Sequence, residues 1–303
     1  MNLFTRSVAE GVRLAARHYR LSVLLWITLF VSSSLALRPL SGLVRAVDGS
    51  PFGERLLAGW DGDAFVGMLA GIQEGLGPAF AAIPAGILLF ALLSLVLSTG
   101  ILRTLQQGLV QGSMRRAVIE GVALFPKTFG AFFRFGVGTA AWLLLVAGLP
   151  AWILYELPGK DAPPNNGFTN AAILWGVLAA LAVFLVRRAR FDVARALLAQ
   201  NAASTGRGAS RLAGRRVAGA RVAAAAIVLF WLIVVAILQT VFTRLGVAMN
   251  PQTNAGTTGL VVVRQIGFLL VAFAHVAQLG SLSAFERLRR PVPTPLPRLA
   301  SPG

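Results

Sequence analysis

The chain has 303 residues, 56% hydrophobic and only 13% charged, with a mean hydropathy of +0.73. A soluble globular domain carries about 25% charged residues, so a soluble fold is a poor reading. The net charge of +17 would suit nucleic acid if the cations formed a patch, but here they punctuate apolar runs, which makes lipid the better partner. Cysteine is absent, which excludes disulfides, thiolate metal sites and thiol catalysis.

A membrane helix needs about 20 mostly apolar residues. Six segments qualify in chain order: about 21–37, 79–102, 135–155, 168–186, 222–243 and 259–285. The second carries Pro84 near one end, where few helical hydrogen bonds are lost. Between these spans, 22 Lys and Arg fall on one side and five on the other, with Arg264 inside the sixth span. The acids lean the opposite way, seven on the poor side and four on the rich side. The positive-inside rule then places both termini in the cytoplasm. Although "SSSLA" weakly resembles a cleavage site, five further spans follow it, and a cleaved signal peptide is not expected.

The first 20 residues form an amphipathic helix. Arg6, Glu10, Arg13, Arg17 and Arg20 make one stripe, and Phe4, Val8, Val12, Ala15 and Tyr19 another, which suits the cytoplasmic headgroup layer. The outer loop, 38–78, holds "WDGDAFVGMLAGIQEGLG", with Phe65, Met68, Leu69, Ile72 and Leu76 on one helical face. Asp61 and Asp63 at its start suit the helix dipole; a metal site would need further oxygen ligands. Basic interfacial material recurs before the third span, in 105–136 with Arg115 and Arg116, reaching Pro126 and then "FFRFG". It recurs again before the fifth. There "VRRARFDVAR" brings Arg187 and Arg188, "RFDVARALLAQ" reads as an amphipathic segment, and Arg207, Arg211, Arg215 and Arg216 follow a polar turn. In this reading the arginines of "VRRARFDVAR" are orientation and headgroup anchors.

Together these suggest a unit repeated three times: basic interfacial helix, Trp-bearing span (Trp26, Trp142, Trp231), outer connection and returning span. The proline-rich tail 291–303 reads as disordered.

"STGILRTLQQGLVQGSMRRAVIEGVALFPKTFGAFFRFGV" and "RARFDVARALLAQNAASTGRGASRLAGRR" resemble the glycerophosphodiester phosphodiesterase membrane-domain-like family of bacterial polytopic proteins. The motifs are degenerate, and the resemblance is best over 98–245. It implies a polytopic, non-catalytic membrane part and brings no catalytic residues to transfer. Arginine outnumbers lysine 26 to 2 amid abundant Ala and Gly, as in a GC-rich bacterial chain. The bacterial inner membrane is therefore the expected location.

The sixth span is the least apolar. Arg264, His275 and Gln278 share a face that continues towards Glu286, and polar groups in a span turn inward. Such a face can line a proton or anion path. Equally, it can hydrogen-bond neighbours such as Gln239, Ser94 or Ser98 and only fix the packing. The sequence has no Walker A, HExxH or GxSxG motif, and its two histidines are far apart with no cysteine to complete a zinc set.

The sequence thus predicts an all-α polytopic bundle of six transmembrane helices with amphipathic cytoplasmic interfacial helices, forming one integral domain over 1–290. It predicts no enzyme activity and no cofactor. The expected partners are anionic lipid headgroups at Arg6, Arg13, Arg17, Arg115, Arg116, Arg187, Arg188, Arg207, Arg211, Arg215 and Arg216. A protein partner or a second copy of the chain is also compatible; nucleic acid is not. The competing reading is transport along the Arg264, His275, Gln278 and Glu286 face.

Overall fold

The computed structural model describes residues 2–37, 73–107, 114–156, 167–249 and 254–289, and all the regular structure among them is helical. The elements are α1 (Leu3–Arg17), α2 (Tyr19–Leu37), α3 (Gln73–Gln106), α4 (Met114–Trp142), a π-helical stretch Leu143–Gly148 leading into α5 (Leu149–Glu156), α6 (Gly167–Ala199), α7 (Gly206–Ala218), α8 (Arg221–Val247) and α9 (Asn254–Leu288). Five helical stretches, in α3, α4 with α5, α6, α8 and α9, are long and apolar enough to cross a membrane. The pair of α1 and α2, bent by 80°, passes the same test of length and composition only when its two helices are taken together. The chain is an all-α polytopic membrane protein. Leu144, Leu145, Leu149 and Trp152 on one arm of the second hairpin, and Ile173, Leu174, Val177 and Leu178 on the other, are exposed. Such a surface suits hydrocarbon, where apolar side chains need no burial against protein.

Several boundaries differ from the sequence expectation. The second span begins at Gln73 rather than 79, so Pro84 lies within the helix and not near its end. Pro126 does not end the interfacial segment, because α4 runs through it into the span. The largest change is in α6. "RFDVARALLAQ" is not a separate interfacial helix but the end of the returning span, and all of Phe191–Ala199 is buried. Of the expected outer loop 38–78 and its amphipathic helix, residues up to Ile72 lie outside the described residues, as does the tail beyond residue 290, while the part from Gln73 on, Leu76 included, belongs to α3 and not to a loop.

Local chemistry explains the breaks that remain. Asn2 caps α1 by accepting the Thr5 N–H at 2.9 Å. At His18 the chain turns by 80° into α2. His18 is buried at this corner, and burial together with neighbouring Arg17 lowers its pKa. After Ala199 the helix stops in a Schellman arrangement, with Ala202 N–H bonding Leu197 O and Asn201 N–H bonding Leu198 O, both at 3.0 Å. Asn201 sits at φ 56°, a left-handed conformation that asparagine tolerates. Thr205 then accepts the Gly208 N–H at 3.1 Å and starts α7, so the chain folds back on α6.

Contacts among the described helices follow a cyclic order, although in the second of the expected units the interfacial segment and the span are one helix, α4. The returning helices α3, α6 and α9 pack on one another at the centre, and each leading helix packs on the returning helix of the preceding unit: α4 on α3, α7 on α6, α1 on α9. The leading helices carry buried small-residue stripes, Ser7, Gly11 and Ala15 on α1, Ala117 and Gly121 on α4, and Ala209 and Ala213 on α7. Small residues let helix backbones approach closely where no hydrophobic force drives association. A Cβ at Gly11 would lie 2.5 Å from the Ala277 carbonyl oxygen, and one at Gly121 would lie 2.4 Å from that of Val96. Of the expected apolar face, Ala15 is buried in this stripe and Phe4 and Val8 pack against the core, whereas Val12 and Tyr19, the latter at the start of α2, are exposed.

Gly121→Ala should lower stability by about 1–3 kcal/mol, because the added methyl meets backbone that cannot yield cheaply. Gly130→Ala, with nothing within 4 Å of its Cβ, is the control. Thermal unfolding of both variants in mild detergent checks this; equal midpoints would mean that Gly121 does not set the α3–α4 spacing.

Candidate functional site

Where the three returning helices meet, the core is polar. Asp192 on α6 is buried, with Arg188 Nε 3.2 Å from its Oδ2 and Arg195 bonded to its Oδ1. The other terminal nitrogen of Arg195 donates to Ser98 Oγ of α3. A carboxylate taken out of water is tolerated only when paired and hydrogen-bonded, and two guanidinium groups supply this here. Phe191 adds a ring face 4.7 Å from the Arg195 guanidinium carbon.

Further cross-links surround this group. Gln106 of α3 donates to Ser283 Oγ of α9 at 3.0 Å and to the Ala196 carbonyl of α6 at 3.3 Å. Gln200 donates to Glu286 Oε2 at 2.9 Å, and Arg103 donates to the Ala199 carbonyl while lying 3.7 Å from Glu120 of α4. Each pair among α3, α6 and α9 is thus bridged by at least one polar side chain.

A different arrangement occupies the seam between α4, α6 and α7. A cavity of about 500 Å³ is lined by Arg134, Arg187, Arg190, Arg207 and Arg211, with Phe135, Phe191, Ala131 and Ser210. Among the described residues no carboxylate lines it. The four acids at this arginine-rich end have partners elsewhere: Glu10 with Arg13, Glu120 with Arg103 and Arg116, Asp192 with Arg188 and Arg195, Glu286 with Gln200. Two glycines make room for the cations. A Cβ at Gly138 would lie 1.9 Å from an Arg187 Nη, and one at Gly214 would lie 2.5 Å from an Arg190 Nη. Arg187 is held in place by donating to the Arg134 carbonyl at 3.2 Å. Converging guanidinium groups with no counter-charge raise the local positive potential and attract an anion.

Of the sequence-predicted cations, Arg187, Arg207 and Arg211 meet in this cavity. Arg6, Arg13, Arg17, Arg115 and Arg215 are exposed at the same end, and Arg216 is half-buried. Arg188 lies outside this cavity and is paired with Asp192, and Arg116 lies 4.0 Å from Glu120. Arg195, from the same "VRRARFDVAR" stretch, is buried and unavailable to a lipid surface. Arg134 and Arg190 were missed. "FFRFG" and "RRARF" hold the signal, arginines beside aromatics, but only the packing of α4 against α6 brings them together.

The polar face of the sixth span divides. Arg264 is exposed towards the other end of α9, about 16 Å of helix rise from His275. His275 is half-buried and couples electrostatically to Asp192, Arg188 and Arg195. Gln278 and Glu286 are buried. Of the anticipated hydrogen-bonding neighbours, Ser98 serves Arg195 instead and Gln239 is exposed. The sequence missed two indole bonds on this helix, Trp26 to Gln265 and Trp231 to Ser281, each 3.1 Å.

Among the described residues no three His, Asp or Glu side chains gather as metal ligands. No protein-family model, curated protein or solved structure matches this chain, so its function is argued from these two sites.

Asp192→Leu should cost about 3–5 kcal/mol, since it leaves Arg195 buried and unpaired. Adding Arg195→Leu should recover part of that loss, whereas Ser98→Ala alone should cost about 1 kcal/mol. Unfolding in detergent measures all three. Additive losses in the double variant would mean that the two side chains do not act as an ion pair.

Proposed function

We propose that this chain is a non-enzymatic integral membrane protein that organises anionic lipids, or proteins carrying acidic groups, from a basic cytoplasmic face. The observation that carries the reading is the five-arginine cavity between α4, α6 and α7, which no carboxylate lines among the described residues. Each cation near an anionic leaflet contributes about 1 kcal/mol of attraction. The exposed arginines on α1 and α7 extend the same field around that end of the bundle. The positive-inside rule puts this end in the cytoplasm, and the bacterial inner membrane is the compartment consistent with it. The resemblance of 98–245 to the glycerophosphodiester phosphodiesterase membrane-domain-like family fits a non-catalytic role.

Transport along the sixth span is the competing reading, and the geometry favours it less. Arg264 is remote from His275, and Gln278 and Glu286 lie in a centre cross-linked from three sides. A conducting face needs polar groups in sequence along a water-accessible path.

The test is co-flotation with liposomes of neutral phosphatidylcholine, alone or with anionic phosphatidylglycerol, using protein stabilised in mild detergent. Anionic lipid should raise binding, added salt should lower it, and joint replacement of Arg207, Arg211, Arg215 and Arg216 by Gln should remove most of the gain. His275→Phe should leave lipid binding unchanged. Binding indifferent to lipid charge would sink the proposal, and a pH-dependent flux abolished by His275→Phe would favour transport.

A further inference from the structure

The arginine cavity does not end at its cations. Arg187 and Arg190 also line a second cavity of about 490 Å³, whose other walls are Trp142, Val146, Ala182, Val183 and Val186, with Gly214, Val217, Ala218 and Arg221 from α7 and the start of α8. Along α6 the lining passes from Arg190 and Arg187 to Val186, Val183 and Ala182, one face of the helix at steps of three and four residues. This face covers about 12 Å of helix rise from guanidinium to aliphatic side chains. Its far end reaches the π-helical stretch, where the Val146 carbonyl accepts the Trp175 indole N–H at 3.0 Å. A cationic chamber that shares Arg187 and Arg190 with a second, mainly aliphatic groove on a membrane-spanning helix matches a molecule with an anionic head and a hydrocarbon tail.

We infer that the two cavities together seat one anionic phospholipid, its phosphate among Arg134, Arg187, Arg190, Arg207 and Arg211 and an acyl chain between Trp142, Val146 and the Ala182–Val186 face. This rests on the lipid-organising reading above and narrows it from a charged surface to a single built seat. Guanidinium groups bind phosphate through paired, charge-assisted hydrogen bonds, and five of them line this chamber. The aromatic rings of the chamber are not presented to nucleobases. Phe135 and Phe191 stack on each other with centroids 5.0 Å apart, and Arg195 covers Phe191. A free inorganic or sugar phosphate would use the arginines but leave the groove without a role, so the groove selects the lipid over the soluble anion.

The seat can be altered without changing the net charge. Gly138→Ala places a methyl where the Arg187 guanidinium lies, and that flexible side chain can swing away without disturbing the backbone. Ala182→Phe enlarges a side chain that lines the groove and replaces none of the five arginines.

Native mass spectrometry of the full chain in mild detergent reads the result, with phosphatidic acid, phosphatidylcholine of the same chain length and soluble glycerol phosphate as probes. The wild type should retain one phosphatidic acid in preference to phosphatidylcholine. Gly138→Ala and Arg190→Gln should each weaken that retention about tenfold, the loss of one charge-assisted contact. Ala182→Phe should weaken phosphatidic acid retention while leaving glycerol phosphate binding unchanged. Two results overturn the seat, and the first of them leaves the broader reading intact. One is phosphatidic acid retention that survives all three variants but is lost when Arg207, Arg211, Arg215 and Arg216 are neutralised together. The other is glycerol phosphate binding as tightly as the lipid with Ala182→Phe silent, which would make the ligand a soluble phosphate. No preference for phosphatidic acid in the wild type would overturn both.

Discussion

A carboxylate without access to water has to be paired, and the pairing of Asp192 organises the centre of this protein. Asp192 is flanked by Arg188 one turn before it and Arg195 one turn after it on α6, so part of its neutralisation comes from its own helix. Arg195 then reaches Ser98 of α3, and this is what ties the pair to the rest of the bundle. Breaking either partner leaves a desolvated charge, a far larger penalty than an exposed ion pair such as Glu10 with Arg13 could offset. Glu286, buried on α9, meets Gln200 just beyond the end of α6, and Gln106 ties α3 to both other helices. The three returning helices are held at one end by hydrogen bonds whose loss would strand buried polar groups. This specifies their arrangement more sharply than apolar packing between membrane helices does.

The outer ring follows from that centre. With α3, α6 and α9 gathered together, each leading helix lies in contact with the returning helix of the preceding unit, and the close approach requires small residues on the leading helix. Gly11 and Gly121 meet backbone carbonyls at distances where no Cβ fits. The same logic recurs with side chains in place of backbone at Gly138 and Gly214, where the missing Cβ leaves room for Arg187 and Arg190. Packing and charge are therefore coupled at the α4, α6 and α7 seam, where the glycines that permit close approach also permit the cations to converge. At the centre the arginines of α6 satisfy an acid, whereas at this seam they face one another. The helix thus presents a neutralised side to the bundle and an unneutralised side to the seam.

Much of the architecture was legible in the chain. Runs of about 20 apolar residues marked the spans, because each backbone polar group in hydrocarbon must be bonded within its own helix. The recurrence of basic amphipathic segments marked the threefold unit. Continuity was harder to read. Neither Pro126 nor the polar stretch after Val186 ends its helix, since neighbouring helices sustain both where hydropathy alone suggests a boundary. Of the polar face on the sixth span, the burial of Gln278 and Glu286 agreed with the rule that polar groups turn inward, but the separate position of Arg264 did not.

Local sequence therefore determined the helical class, the presence of apolar runs long enough to span a membrane, the concentration of arginine at one end and the absence of thiol chemistry, because composition and periodicity act over one helix at a time. It did not determine which arginines are satisfied. Arg188 and Arg190 are two residues apart and indistinguishable by hydropathy, yet one faces Asp192 and the other faces the cations of α4 and α7. That division depends on the direction each side chain takes from α6 and on what packs there, and only the tertiary structure decides it. The five-arginine cavity is drawn from three helices separated by tens of residues, so its electrostatic character arises only when those helices come together.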